Sequence, residues 1–112
     1  MLKLAKKERV KLTITSKPLE AAIGADCVMT DKWISMNDKV NKASKKKILK
    51  PYQVNKKLMS KANSDAIFMH CLPVGRGEEV TNEVIDGKQS VVWRQALNRV
   101  HAQKSIIKWC LD

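Results

Sequence analysis

Two short segments of this 112-residue chain hold side chains suited to handling an amine. Asp31-Lys32-Trp33-Ile34-Ser35-Met36 sets a carboxylate four residues before a hydroxyl. Such a pair can hold an ammonium group by charge-assisted hydrogen bonds. The same residue types are common in loops, so this segment also reads as an ordinary turn. His70-Cys71-Leu72-Pro73 carries a thiol, polar and polarisable enough to contact an amine or a carbonyl. Its other reading is a small buried side chain beside a turn-forming proline. Arg99 offers a guanidinium within Asn98-Arg99-Val100-His101, although a lone helical arginine is commonly a surface residue. His101 lacks a neighbour spaced as a metal ligand. No P-loop, glycine-rich dinucleotide fingerprint or Ser-His-Asp arrangement is present.

These side chains need elements to position them. Residues 10–15 (VKLTIT) alternate apolar and polar side chains and predict a strand. Ser16 is placed to cap a short helix, with Pro18 and Glu20 in its first turn and Leu19, Ala22 and Ile23 on its inner face. Gly24 supplies the positive φ that ends it. Residues 25–30 (ADCVMT) read as a strand without polar alternation, as in a parallel sheet covered on both faces. A lysine-rich stretch of helix and loop follows, broken at Pro51, and Asn55 can cap a helix running to Lys61. Residues 66–70 (AIFMH) form a third strand. Thr81 caps a helical turn ended by Gly87, residues 90–92 give a fourth strand, and a helix runs from about Gln95 to Leu111. Ala96, Val100, Ile107 and Leu111 share one of its faces. Alternating strands and helices predict an α/β fold with a parallel sheet. Asp31 and Cys71 both leave strand carboxyl ends, the edge where open α/β sheets bind ligands.

Composition narrows the class. A hydrophobic share of 44% suits a globular chain rather than a disordered one. No apolar run approaches the roughly 20 residues that span a bilayer. The first residues have no signal-peptide pattern, which gives the expectation of a cytoplasmic protein with no membrane partner. Three scattered cysteines without a Cys-x-x-Cys pair argue against a disulfide framework or a zinc site. Cys27 and Cys110, among apolar neighbours, are expected in the core. The net charge of +11 is local: residues 39–61 hold nine lysines and no acid, leaving 13 basic and 11 acidic side chains elsewhere. Such a run reads as a solvated surface. Nucleic-acid binders usually add arginines or stacking aromatics, and this stretch offers only Tyr52.

Taken together, the segments TDKWISM (30–36), YQVN (52–55), DAIFMHCLP (65–73), RGEEVT (76–81), EVIDG (83–87) and NRVHAQK (98–104) resemble ornithine carbamoyltransferases, in the order found in that family. The resemblance extends from about Val10 to the end. The tetrapeptide His70-Cys71-Leu72-Pro73 is its most specific part, because the aspartate-using relatives lack the cysteine there. The resemblance implies a partial Rossmann-like three-layer domain. It also implies catalysis of citrulline and phosphate formation from L-ornithine and carbamoyl phosphate, with no cofactor and no metal. Asp31 would bind the amino group of ornithine, and Ser35 and Met36 would belong to a loop closing over it. Cys71 would lie near the reacting amine, as proton acceptor or as electrostatic partner of the aspartate. The Leu72 carbonyl would accept from the carbamoyl amide, and Arg99 would polarise the carbamoyl carbonyl. Family members are homotrimers or multiples of them, and act in arginine or citrulline metabolism.

Three positions depart from the family pattern: Asn37 for a glycine, Gly75 for a bulkier residue, and Leu97 for a glutamate near Arg99. A larger departure is the lack, within these 112 residues, of the family's phosphate loop and of the first strands of the ornithine domain. In a sheet of order 3-2-1-4-5 the first strand is central. The strand at 10–15 would then be separated from that at 25–30, leaving an exposed edge. The expectation is an ornithine-binding part, inactive alone. The alternatives are an inactive remnant, half of a split enzyme or, ranked last, a lysine-driven nucleic-acid binder.

Overall fold

The computed structural model describes residues 2–34 and 41–112. In chain order come α1 (Leu2–Lys7), α2 (Pro18–Ala21), β1 (Cys27–Thr30), α3 (Lys42–Leu49), a 3-10 turn (Lys50–Tyr52), α4 (Lys56–Met59), β2 (Ile67–His70), α5 (Asn82–Ile85) and α6 (Val92–Leu111). The strands pair in parallel, in register from Cys27 with Ile67 to Thr30 with His70. The α/β class and parallel sheet therefore agree with the sequence.

Beyond β2 a further parallel bridge joins Phe68 to Ser90, with the Phe68 N–H donating to Gln89 and the Val91 N–H to Phe68. The predicted fourth strand is reduced to this bridge because α6 starts at Val92, earlier than Gln95. β2 is thus interior and β1 lies at an edge. The expected cover on both faces of β1 is not found: Cys27 is exposed and Met29 is 57% exposed. β2 alternates half-buried and buried positions, and Phe68 and His70 point inward.

Phe68 is the centre of a core with Ala22, Val54, Leu58, Met59, Val80, Val84, Ile85 and Val92. Burying such side chains stabilises a fold by about 1.5–3 kcal/mol each before conformational entropy is counted. A second parallel bridge, Val54 with Val80, ties the segment before α4 to the segment before α5. Asn55 caps α4 as expected, its Oδ1 accepting from the Leu58 N–H at 3.0 Å. Asn41 does the same for α3, accepting from Ala43 and Ser44.

Several local readings need correction. Residues 10–15 carry no strand, and Val10, Leu12 and Ile14 are exposed. Alternation supplies an apolar face, but a strand also needs a hydrogen-bonding neighbour. β1 is paired only with β2 among the described residues. Lys17, not Ser16, occupies the cap position of α2. Ala22 is buried and Leu19 packs on the core, whereas Ile23 points outward. Gly24 has the expected φ of 65°. Thr81 stands at the cap of α5, but its hydroxyl makes no capping bond. Gly87 is required by closeness rather than by φ: a Cβ there would lie 2.6 Å from the Glu83 carbonyl oxygen. Cys27 and Cys110 are exposed rather than in the core. Cys27 begins an edge strand, and Cys110 lies at the far end of a helix whose one buried residue is Val92.

Candidate functional site

The site forms where β1 and β2 end side by side. Register places Thr30 beside His70, so the next residue of each strand, Asp31 and Cys71, emerges at the same edge. The Cys71 thiol donates to Asp31 Oδ1 at 2.9 Å. The same oxygen accepts the Lys32 N–H at 2.6 Å. Two donors stabilise the ionised carboxylate, so Asp31 is held below the usual aspartate range, chiefly by the thiol and then by the Lys32 amide. Cys71 is shifted the other way. Its bond to Asp31 raises the thiol pKa, partial burial and the carboxylate charge add to that, and Arg99 opposes it. The pair is therefore a thiol and a carboxylate at neutral pH.

Cys71, Leu72, Gln95, Ala96 and Arg99 line an open cavity of about 430 Å³. Arg99 comes from the second turn of α6, which the Val91–Phe68 bond and buried Val92 fix against β2. The structure thus brings Asp31, Cys71, Leu72 and Arg99 into one neighbourhood. Ser35 and Met36 lie outside the described residues. His101 is exposed on α6, and its backbone carbonyl accepts from the Ser105 hydroxyl at 3.0 Å.

Buried next to Cys71 and Leu72 are groups whose part the sequence alone did not reveal. His70 is 1% and Glu79 0% exposed. His70 Nδ1 accepts the Leu72 N–H at 2.9 Å, which places the proton of a neutral ring on Nε2. Nε2 lies 3.3 Å from Glu79 Oε1, in contact but out of hydrogen-bond alignment. Glu79 Oε1 also accepts from the Gly75 N–H. A Cβ on Gly75 would sit 2.7 Å from Glu79 Oε2, so the glycine leaves room for the buried carboxylate. Leu72 is held at φ 54°, a left-handed conformation that costs a non-glycine residue energy. Its bond to His70 helps to impose that conformation. Gln95 Oε1 accepts the His70 N–H at 3.0 Å, tying α6 to the end of β2. The burial alternation of β2 was the available signal for an inward His70. Nothing local distinguishes buried Glu79 from its neighbour Glu78, which pairs with Lys46 at 2.6 Å.

Fold and strand-end geometry define the class as a parallel α/β domain in which a carboxylate and a thiol meet at neighbouring strand ends, beside a cavity lined by a guanidinium. The chain belongs to the aspartate/ornithine carbamoyltransferase family, whose Asp/Orn-binding domain model matches residues 1–110. An ornithine carbamoyltransferase of Rhodopseudomonas palustris is 64% identical over 100 residues, covering 89% of this chain and 32% of that protein. One from Rhizobium johnstonii is 53% identical over 110 residues, covering 98% and 36%. Among solved structures, the anabolic ornithine carbamoyltransferase of Campylobacter jejuni superposes with a TM-score of 0.89 at 35% identity, covering 96% of this chain and 36% of that one. That of Pyrococcus furiosus gives 0.84 at 45% identity, covering 94% and 34%. The chain spans about a third of the length of the curated relatives it matches.

Proposed function

We propose that this chain supplies the ornithine-binding part of an ornithine carbamoyltransferase active site, which makes L-citrulline and phosphate from L-ornithine and carbamoyl phosphate. The observation that carries the reading is the 2.9 Å bond between Cys71 and Asp31, at neighbouring strand ends facing Arg99's cavity. In this reading Asp31 accepts from the amino group of ornithine, and Ser35 and Met36 close over the amino acid. The side-chain amine, in its neutral form, attacks the carbamoyl carbon. A C–N bond forms as the carbonyl electron pair moves onto oxygen, where the Arg99 guanidinium stabilises the developing charge. The Leu72 carbonyl accepts from the carbamoyl NH2 and fixes the orientation of the group. The C–O bond to phosphate then breaks. Phosphate leaves with the electron pair and takes up the proton released by the attacking nitrogen. The raised pKa of Cys71 favours its role as partner and orienter of Asp31 over that of proton acceptor.

The same reading assigns the grip on phosphate to a carbamoyl-phosphate domain outside these 112 residues. It takes the working unit as a homotrimer or a multiple of it, in the cytoplasm, serving arginine or citrulline metabolism. The test is a citrulline assay on the chain alone and after mixing with a polypeptide that carries the preceding two thirds of a close relative. The expected result is no citrulline alone and turnover on mixing. Arg99→Ala should reduce that turnover by about a hundredfold or more, the usual cost of losing an oxyanion donor. Turnover by the chain alone, or full turnover with Arg99→Ala, would overturn the assignment.

A further inference from the structure

Two titratable side chains buried beside the site have no part in the proposed chemistry: His70, 1% exposed, and Glu79, 0% exposed. Together they close a chain of contacts across the loop that leaves β2. The Leu72 N–H donates to His70 Nδ1 at 2.9 Å. On the other side of the ring, Nε2 faces Glu79 Oε1 at 3.3 Å. That oxygen accepts the Gly75 N–H. Leu72 and Gly75 are thus both anchored on one imidazole–carboxylate pair. The far side of the loop is braced by the Gln53 side-chain amide, which donates to the carbonyls of Gly77 and Glu78 at 2.8 and 2.7 Å. The His70 N–H donates to Gln95 Oε1 at 3.0 Å, and Gln95 lines the same cavity as Cys71, Leu72 and Arg99.

Packing alone does not account for this pair. Glu79 Oε2 and His70 Nε2 are buried without a hydrogen-bond partner. Such groups weaken a core, and apolar side chains of similar volume would fill the space at least as well. What apolar side chains cannot supply is an acceptor for the Leu72 N–H. The Leu72 φ of 54° persists only where its surroundings enforce it. Cys71, the preceding residue, meets Asp31 Oδ1 at 2.9 Å. Its place at that bond therefore depends on how Leu72 is held.

We infer that His70 and Glu79 are positioning residues: the imidazole and the carboxylate clip Leu72 to Gly75, and so hold Cys71 against Asp31 on the wall of the cavity that Arg99 lines. His70 acts through Nδ1 as the acceptor for Leu72. Glu79 acts by keeping the ring proton on Nε2 and by holding the Gly75 amide. The consequence for turnover rests on the ornithine reading given above; the clip itself does not.

The test begins with readouts on the full chain that need no substrate. Long-range proton–nitrogen NMR correlation at neutral pH should show the His70 proton on Nε2, with Nδ1 unprotonated. Alkylation of Cys71 by iodoacetamide, with Cys27 and Cys110 as internal standards, is then compared between His70→Asn and His70→Gln. Both changes remove the ring, but the asparagine oxygen falls where Nδ1 stood, while the glutamine amide reaches only the place of Nε2. His70→Asn should leave the Cys71 rate within about twofold of the native chain, and His70→Gln should raise it about fivefold or more, because a thiol freed from Asp31 regains its ordinary thiolate fraction. Glu79→Gln keeps an acceptor and should stay slow, whereas Glu79→Leu keeps none and should match His70→Gln. In the mixed enzyme, His70→Gln should lower kcat about tenfold or more with the ornithine KM within about twofold, and His70→Asn should recover most of the loss. A merely structural role would move the two His70 variants together. A proton on Nδ1, equal Cys71 rates in the two His70 variants, or an unchanged kcat in His70→Gln would each overturn the inference. The expected tautomer and thiol rates with no citrulline from the native mixture would overturn the ornithine reading and uphold the clip.

Discussion

At the scale of single residues, the Asp31–Cys71 bond makes a pH statement. The Asp31 pKa is lowered, so its contribution to stability is present above the ordinary carboxylate range and is lost as pH falls through the lowered value. The Cys71 pKa is raised, so its contribution is present below the ordinary thiol range and is lost as pH rises through the raised value. The bonded pair therefore persists across the neutral window. Because alkylation requires the thiolate, Cys71 should react with iodoacetamide at mildly alkaline pH more slowly than exposed Cys27 and Cys110. Asp31→Asn removes the charge and the best acceptor, and should speed Cys71 several-fold relative to those two. Peptide mapping by mass spectrometry reads all three rates in one sample. A Cys71 rate that ignores Asp31→Asn would show that the bond does not govern the thiol.

At the scale of elements, the short helices depend on their ends. A helix as short as α4 (Lys56–Met59) cannot persist on propensity alone. Its Asn55 cap is therefore expected to count: Asn55→Ala should cost about 1 kcal/mol, read as a lower urea midpoint with an unchanged slope. That cap was legible because asparagine accepts a backbone N–H through chemistry contained within four residues. Gly24 was legible for a similar reason, since few other residues adopt its φ readily. The two strand ends could also be read, from apolar runs stopping at Asp31 and Cys71. What could not be read depends on distant neighbours. Residues 10–15 have the pattern of a strand and no ladder partner among the described residues. Val91 and Val92 have strand-like side chains, yet Val92 opens a 20-residue helix. Burial of Glu79 follows from its meeting His70 and Gly75 across the fold, a long-range consequence invisible to local pattern.

At the scale of the whole molecule, charge and exposed apolar surface are the two features that ask for explanation. The lysine-rich stretch forms α3, the following turn and α4 among the described residues, and two of its lysines reach acids elsewhere. Lys46 lies 2.6 Å from Glu78 and Lys56 lies 3.6 Å from Glu83. Such exposed pairs are worth little in energy, but they place the stretch on the fold's surface as solvated charge. Duplex DNA mixed with the chain at physiological salt is therefore expected to give no complex in a gel-shift assay. A complex that persists there, with a steep linear fall of log affinity against log salt, would instead make the stretch a polyanion site. None of the described helices is long and apolar enough to cross a membrane.

Exposed apolar groups cluster on three segments, 10–15, β1 and α6. Val10, Leu12, Ile14 and Met29 are accompanied by Trp93, Leu97, Val100, Ile106, Ile107, Trp109 and Leu111 on α6, while Phe68, Val80 and Val92 have no exposed surface. The strand ends therefore rest on packed structure even though the outer surfaces of β1 and α6 remain open. The most direct test of the docking geometry is an amide NMR titration of the chain with L-ornithine. Saturable shifts are predicted at Asp31, Lys32, Cys71 and Leu72, and their loss in Asp31→Asn. Shifts centred elsewhere, or shifts that survive Asp31→Asn unchanged, would contradict the account.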